Sequence, residues 1–135
     1  MSAPDPRERD LVKCEDMRIH AERAVKFLGG RSLRDFVADP MLQDAVIRCV
    51  EVIGEAARLV SEETRRRAPD IPWGLITGMR HVLAHDYGTV DPPTVHRVVE
   101  EHIPQLLAQL CTLIAELEHE VGWQESDGPG EPAQA

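Results

Sequence analysis

The feature that most constrains this chain is a stripe over residues 40–60. Leu42, Ala45, Val46, Cys49, Ile53, Ala56, Ala57 and Val60 recur every three or four positions. At 3.6 residues per turn they fall on one helical face, which must be buried against something. Asp39-Pro40 supplies a capping carboxylate and a first-turn proline. Gly54, Ala56 and Ala57 are small, so a second helix is expected to lie close. The same pattern recurs along the chain. Asp5-Pro6 opens a helix over 6–28, with Leu11, Cys14, Ala21, Val25 and Leu28 on its stripe and Gly29-Gly30 ending it. Ser32 to Ala38 reads as a short helix, with Ser32 and Asp35 at capping-box-like spacing. Ser61 to Ala68 reads as a polar turn or short helix, closed by Pro69-Asp70-Ile71-Pro72. A third long helix is expected over 73–86. A fourth starts at Asp91-Pro92-Pro93, is kinked or split by Pro104, and carries Leu106, Leu107, Leu110, Ile114, Leu117 and Val121.

No segment alternates with period two, so the expected class is all-α. The expected architecture is a four-helix up-and-down bundle with short additional helices. A length of 135 residues, 42% hydrophobic and 4% aromatic, suits one helical domain. We place that domain at 1–121 and read 122–135 (GWQESDGPGEPAQA) as a disordered acidic tail. No apolar run approaches the roughly 20 residues of a membrane span. The opening MSAPDPRERD is charged, so no signal peptide is expected. Cys14, Cys49 and Cys111 form no Cys-x-x-Cys pair. All three are expected as buried free thiols in a reducing compartment, the cytoplasm.

The formal net charge of −9 argues against a general nucleic-acid coat. The acid is unevenly spread, however. From Arg58 to Arg97 six arginines (58, 65, 66, 67, 80, 97) face five acids (62, 63, 70, 86, 91). That leaves room for a small local site meeting one phosphate. The Arg65-Arg66-Arg67 run reads as a solvated turn rather than an RNA contact.

On a wheel, the third long helix puts Leu75, Ile76, Met79, Val82 and Leu83 on a core arc. Gly74, Thr77, Gly78, His81, Ala84 and His85 fall opposite. A solvated face usually carries Lys, Glu or Arg, and interior glycine costs about 1 kcal/mol against alanine. The arc therefore reads as a contact surface for a two-fold mate or a substrate strand. Arg80 and His85, five apart, sit about 140° from each other on a regular helix. They share one site if the helix ends near His85, or if a second copy supplies the missing group across a two-fold axis.

Arg80-x-x-x-x-His85-x-Tyr87 resembles the Arg-x4-His-x-Tyr motif of the HEPN superfamily, and most closely its HepT-like branch. Val52-Ile53-Gly54-Glu55-Ala56-Ala57, Ile71-Pro72-Trp73 and Gly78-Met79-Arg80 resemble the same branch, so the likeness runs from about Leu11 to Leu107. It implies a HEPN-type bundle and a metal-independent ribonuclease toxin acting on RNA, with no cofactor. It further implies a homodimer whose two motifs form one composite site. The partner it implies is an antitoxin, an MntA-like minimal nucleotidyltransferase that silences the toxin by AMPylation. Carried over, Arg80 and His85 are catalytic and Tyr87 receives the AMP. His81, Asp86 and Glu55 support the site. The chain departs from the pattern at His81, where asparagine is common, and at Gly88 and His96, where aromatics are common.

The residue chemistry fits. RNA carries its own nucleophile, the 2′-hydroxyl, so scission needs a base, an acid and charge stabilisation. Histidine titrates near neutrality, and a guanidinium offers several donors to phosphorane oxygens. Two other readings stay open. One is a non-catalytic binding partner or substrate subunit of a nucleotidyltransferase. The other is a metal enzyme using His81 and His85 at i, i+4 with Asp86, His96 or His102.

Overall fold

A computed structural model describes residues 5–85 and 90–122 of the chain, and for residues 80–85 the backbone alone. The described residues are all helix and connection. In order they are α1 (Pro6–Leu28), α2 (Leu33–Val37), α3 (Pro40–Arg58), α4 (Glu62–Arg67), α5 (Trp73–His85), α6 (Pro92–Arg97), a π-helical turn (Val98–His102) and α7 (Ile103–Glu120). The expected tail after Gly122 lies outside the described residues.

The caps are those the sequence announces. Asp5 accepts from the Arg7 N–H at 2.8 Å, Ser32 from Asp35 at 3.1 Å, and Asp39 from Leu42 at 3.0 Å. Each satisfies a first-turn donor with no partner in its own helix. Gly29, at φ 58°, takes the left-handed conformation that closes α1. At Pro104 the helix is not split. The Ile103 N–H reaches back to the Val98 carbonyl, one residue further than in an α-helix. Proline has no N–H to give, and the widened turn absorbs the missing bond without ending the rod.

α1 packs between α3 and α7, and α5 packs on α3. The buried row of α1 is Asp10, Cys14, Met17, Ala21, Ala24 and Leu28. Val25, expected on it, is 37% exposed. Leu11 and Val25 belong to a neighbouring row that also holds Arg18, and that row flanks the contact with α3 and α7 rather than facing it. Phe36 from α2 is fully buried, as are Met17, Val46 and Leu110 from three different long helices. His96 on α6 lies against Phe36, ring centroids 5.8 Å apart, and its Nε2 hydrogen-bonds the Arg31 carbonyl at 2.8 Å. His96 is thus a packing residue.

Arg65 and Arg67 are structural, not solvated. The Arg65 guanidinium donates to the carbonyls of Ala57, Arg58 and Val60 at the end of α3 and lies 5.9 Å from the Trp73 ring centre at the start of α5. It caps one helix and joins it to the next. Arg67 pairs with Glu120 and Glu116 on α7. Arg66 is exposed.

The cysteines divide. Cys14 and Cys49 are buried; Cys111 is exposed. The buried row of α7 runs through Ile103, Leu106, Leu110, Leu113, Ile114 and Leu117, and residue 111 is turned about 100° from Leu110. Burial pushes the Cys14 thiol from 9.0 up to about 12, with Asp10 and Glu15 adding to the rise, and raises Cys49 as well. A raised folded pKa holds the proton, so this contribution to stability is full below the ordinary thiol range and is lost as pH climbs from about 8.5 towards 12. An Ellman titration of the native protein at pH 8 is expected to count one fast thiol, Cys111, and three in denaturant. Fast reaction of three thiols in the folded protein would contradict this burial pattern.

Candidate active site

The site helix starts where α3 ends. Ile71 and Trp73 are buried, the Trp73 indole N–H donates to the Ala68 carbonyl at 3.0 Å, and Arg65 ties both helix ends together. Gln109 on α7 holds the preceding loop through the Asp70 carbonyl at 2.8 Å. From this anchored end α5 runs back along α3. Its far end therefore lies towards the start of α3.

The core arc of α5 is not the one expected. Trp73 is buried and Ile76 and Met79 pack against the core, but Leu75 is 76% exposed. The buried Trp73 ring fixes the rotation of the helix. The arc is centred on Ile76, between Trp73 and Met79, about 60° round from the predicted one. Because α5 packs on α3 and not broadly on α7, the side bearing Leu75 stays open. Gly74 and Gly78 are exposed too, and a methyl group built on either meets no atom within 4 Å. Nothing inside the described chain requires those glycines. Of the expected contact arc, Gly74 and Gly78 are thus open, and Leu75 lies exposed beside them, whereas the side chains of His81, Ala84 and His85 lie outside the described residues. Thr77 turns inward enough for its hydroxyl to donate to the Trp73 carbonyl at 2.8 Å.

Arg80, His81 and His85 all lie on the helical backbone of α5. The backbone stays helical through His85, so Arg80 and His85 are about 140° apart in register. Asp86 and Tyr87 lie outside the described residues. Glu55 is exposed on α3, one turn from its end, towards the start of α5; Arg80 and then His85 are further along. Of the residues considered for a metal, His96 is engaged with Arg31 and Phe36, and His102 is exposed on the π turn. A cavity of about 270 Å³ bordered by Arg67, Asp70, Gln109 and Glu116 sits at the start of α5, away from His85.

One feature was not anticipated from the sequence. Asp10 is 4% exposed and accepts from the Ser61 N–H (2.9 Å), the Ser61 hydroxyl (2.5 Å) and the Thr64 hydroxyl (2.6 Å). It ties α1 to the start of α4, whose position sets Arg65 and hence the start of α5. The only available signal was register, since Asp10 stands four before Cys14 on the buried row.

A helical bundle with an Arg-x4-His helix left open on one side belongs to a class of small all-α proteins that the comparisons identify. Residues 17–113 match the ribonuclease HepT-like family. A protein of Caldanaerobacter subterraneus subsp. tengcongensis, named as an RNase, is 34% identical over 115 residues, covering 84% of this chain and 96% of its own. A protein of Thermococcus cleftensis, named as a ribonuclease HepT, is 37% identical over 92 residues, 68% of this chain and 84% of its own. An RNase-named protein of Methanocaldococcus jannaschii is 31% identical over 91 residues, 67% and 84% of the two chains. No solved structure matches. The chain belongs to the HepT-like ribonuclease family. Among the described residues no helix is long and apolar enough to cross a membrane.

Proposed function

We propose that this protein is a metal-independent ribonuclease, the toxin half of a toxin–antitoxin pair, with one composite site at a homodimer interface. The observation that carries the composite site is the register of α5. Arg80 and His85 point-for-point occupy opposite flanks of one continuous helix. A two-fold copy resolves this by setting one protomer's arginine near the other's histidine. Leu75 and Gly78 are exposed, and Val82 and His85 continue their register at four- and three-residue spacing. That spacing is the seam of a helix pair, and glycine lets the two backbones approach.

In this reading His85 acts as general base or acid. As base it takes the 2′-hydroxyl proton while that oxygen attacks the adjacent phosphorus. As acid, the second copy of the same residue protonates the departing 5′ oxygen. Arg80 donates to the phosphorane oxygens as charge develops. The products are a 2′,3′-cyclic phosphate and a 5′-hydroxyl. His81, in place of the common asparagine, and Asp86 and Glu55 support the arrangement. The antitoxin, an MntA-like minimal nucleotidyltransferase, transfers AMP from ATP to the Tyr87 hydroxyl, which loses its proton as pyrophosphate leaves. Tyr87 is two residues from His85 in the sequence, so the added phosphate would bring negative charge close to a residue that meets substrate phosphate.

The dimer test is direct. Leu75→Glu and Gly78→Leu are expected to turn a dimer into a monomer by light scattering and to remove RNA cleavage, with helix content unchanged. A monomeric variant that still cleaves at the original rate would overturn the composite site. The RNA test uses purified, unmodified protein in chelator, with end-group analysis of the products. Tight nucleotidyltransferase binding without any cleavage would instead favour a non-catalytic subunit, a reading that His81 keeps in play.

A further inference from the structure

From Arg23 to Arg34 the chain carries four cations, Arg23, Lys26, Arg31 and Arg34, and no Asp or Glu. In a protein of net charge −9 this is the reverse of the general balance. All four side chains are exposed. Of the other cations, Arg7 pairs with Asp5, Arg18 with Glu15 and Glu22, Arg48 with Glu51, and Arg67 with Glu116 and Glu120, and the exposed Arg9, Arg58, Arg66 and Arg97, which form no such pair among the described residues, are scattered along the chain. The Arg31 guanidinium donates to the Phe27 carbonyl at the end of α1. The side chains of Arg23, Lys26 and Arg34 form no ion pair with another described residue.

The fold places this basic corner deliberately. Gly29 and Gly30, at φ 58° and 73°, turn the chain between α1 and α2, so Arg31 and Arg34 follow Arg23 and Lys26 around one end of the bundle. Phe27, 39% exposed, and Leu33, also 39%, lie between the charges. α2 packs on α6, and His96 of α6 holds the Arg31 carbonyl. α6 is the next element after α5 along the chain, and α5 itself runs towards the start of α3. The corner and the end of the site helix therefore share one end of the molecule.

We infer that this corner binds RNA backbone outside the cut site, with Arg23, Lys26, Arg31 and Arg34 meeting phosphates and Phe27 offering a face to a base. Cations without acidic partners, interleaved with an exposed aromatic, match the two needs of single-stranded RNA, charge and stacking. Near the start of α5, Arg65 and Arg67 are engaged with helix carbonyls and acids, whereas the α1–α2 corner gathers four exposed cations within twelve residues. The inference rests on the ribonuclease reading for its substrate, and the test separates the two.

The experiment compares wild type with the triple variant Arg23→Gln/Lys26→Gln/Arg34→Gln. Binding is measured to a 2′-O-methyl RNA, which cannot be cleaved, across a salt series. The variant is expected to bind at least tenfold more weakly at low salt. Its slope of log affinity against log salt is expected to fall by about 2, from about 0.7 per lost phosphate contact on a single strand. Cleavage of a short oligonucleotide confined to the cut site is expected to be unchanged, as are helix content and thermal midpoint. Equal affinity and slope in variant and wild type would overturn the inference, as would loss of an acidic protein partner with RNA binding intact. Wild type that binds this RNA through the corner yet cleaves none would sink the ribonuclease reading and leave the corner standing.

Discussion

His85→Ala is expected to lower RNA cleavage by about 10²- to 10⁴-fold, the usual contribution of a positioned acid or base. The initial rate on RNA in chelator, at fixed protein concentration, is the measurement. In a homodimer both copies of the residue are lost, so the upper end of that range is expected. The wild-type rate should follow a bell-shaped pH curve, because one histidine must be neutral and its mate protonated. Arg80→Ala is expected to cost about 10²- to 10³-fold, and Arg80→Lys to recover only part, since an ammonium keeps charge but not the planar fork. A folded, dimeric His85→Ala protein that cleaves at the wild-type rate would remove His85 from the chemistry. His81→Asn is expected to retain activity, since a carboxamide also offers a polar donor at that position.

Asp10→Ala is expected to cost about 3 kcal/mol or more and to lower the thermal midpoint by roughly 10 °C. The variant leaves the Ser61 N–H and the Ser61 and Thr64 hydroxyls without their acceptor at a buried point. It also opens a void where the carboxylate stood. Asp10→Asn should be milder, because one carboxamide oxygen still accepts and both hydroxyls can rotate to accept from its NH₂. Urea unfolding at fixed protein concentration, read as midpoint with unchanged slope, distinguishes the two. An alanine variant within a few tenths of a kcal/mol of wild type would show that water replaces the carboxylate without loss.

Much of the architecture was legible because it is local. Asp5-Pro6, Asp39-Pro40 and Ser32 announced their helices through cap chemistry that needs only three or four consecutive residues. The α3 stripe predicted its buried face almost residue for residue, since that helix lies deep between α1 and α5. Exposed helices were harder. Leu75, Val25 and Cys111 carry apolar side chains on edges of the contact, and composition alone does not say where a contact stops. The candidate site was legible as a motif, because Arg80, His85 and Tyr87 lie within eight residues and the Ile-Gly-Glu-Ala-Ala and Ile-Pro-Trp segments frame them. Its supporting parts were not, because Asp10 meets Ser61 and Thr64 across 51 and 54 residues.

The sequence by itself determined the helices, their caps, the motif and the family, all of which depend on spacing along one chain. The tertiary structure decided how those helices are turned. It buried Trp73 and so rotated α5 to leave Leu75, Gly74 and Gly78 open. It spent Arg65 and Arg67 on carbonyls and carboxylates, and left Arg23, Lys26 and Arg34 without an ion pair among the described residues. The reason is physical. A helix forms through bonds four residues apart, whereas the rotation of a helix and the neutralisation of a charge depend on groups that meet only when the chain has folded.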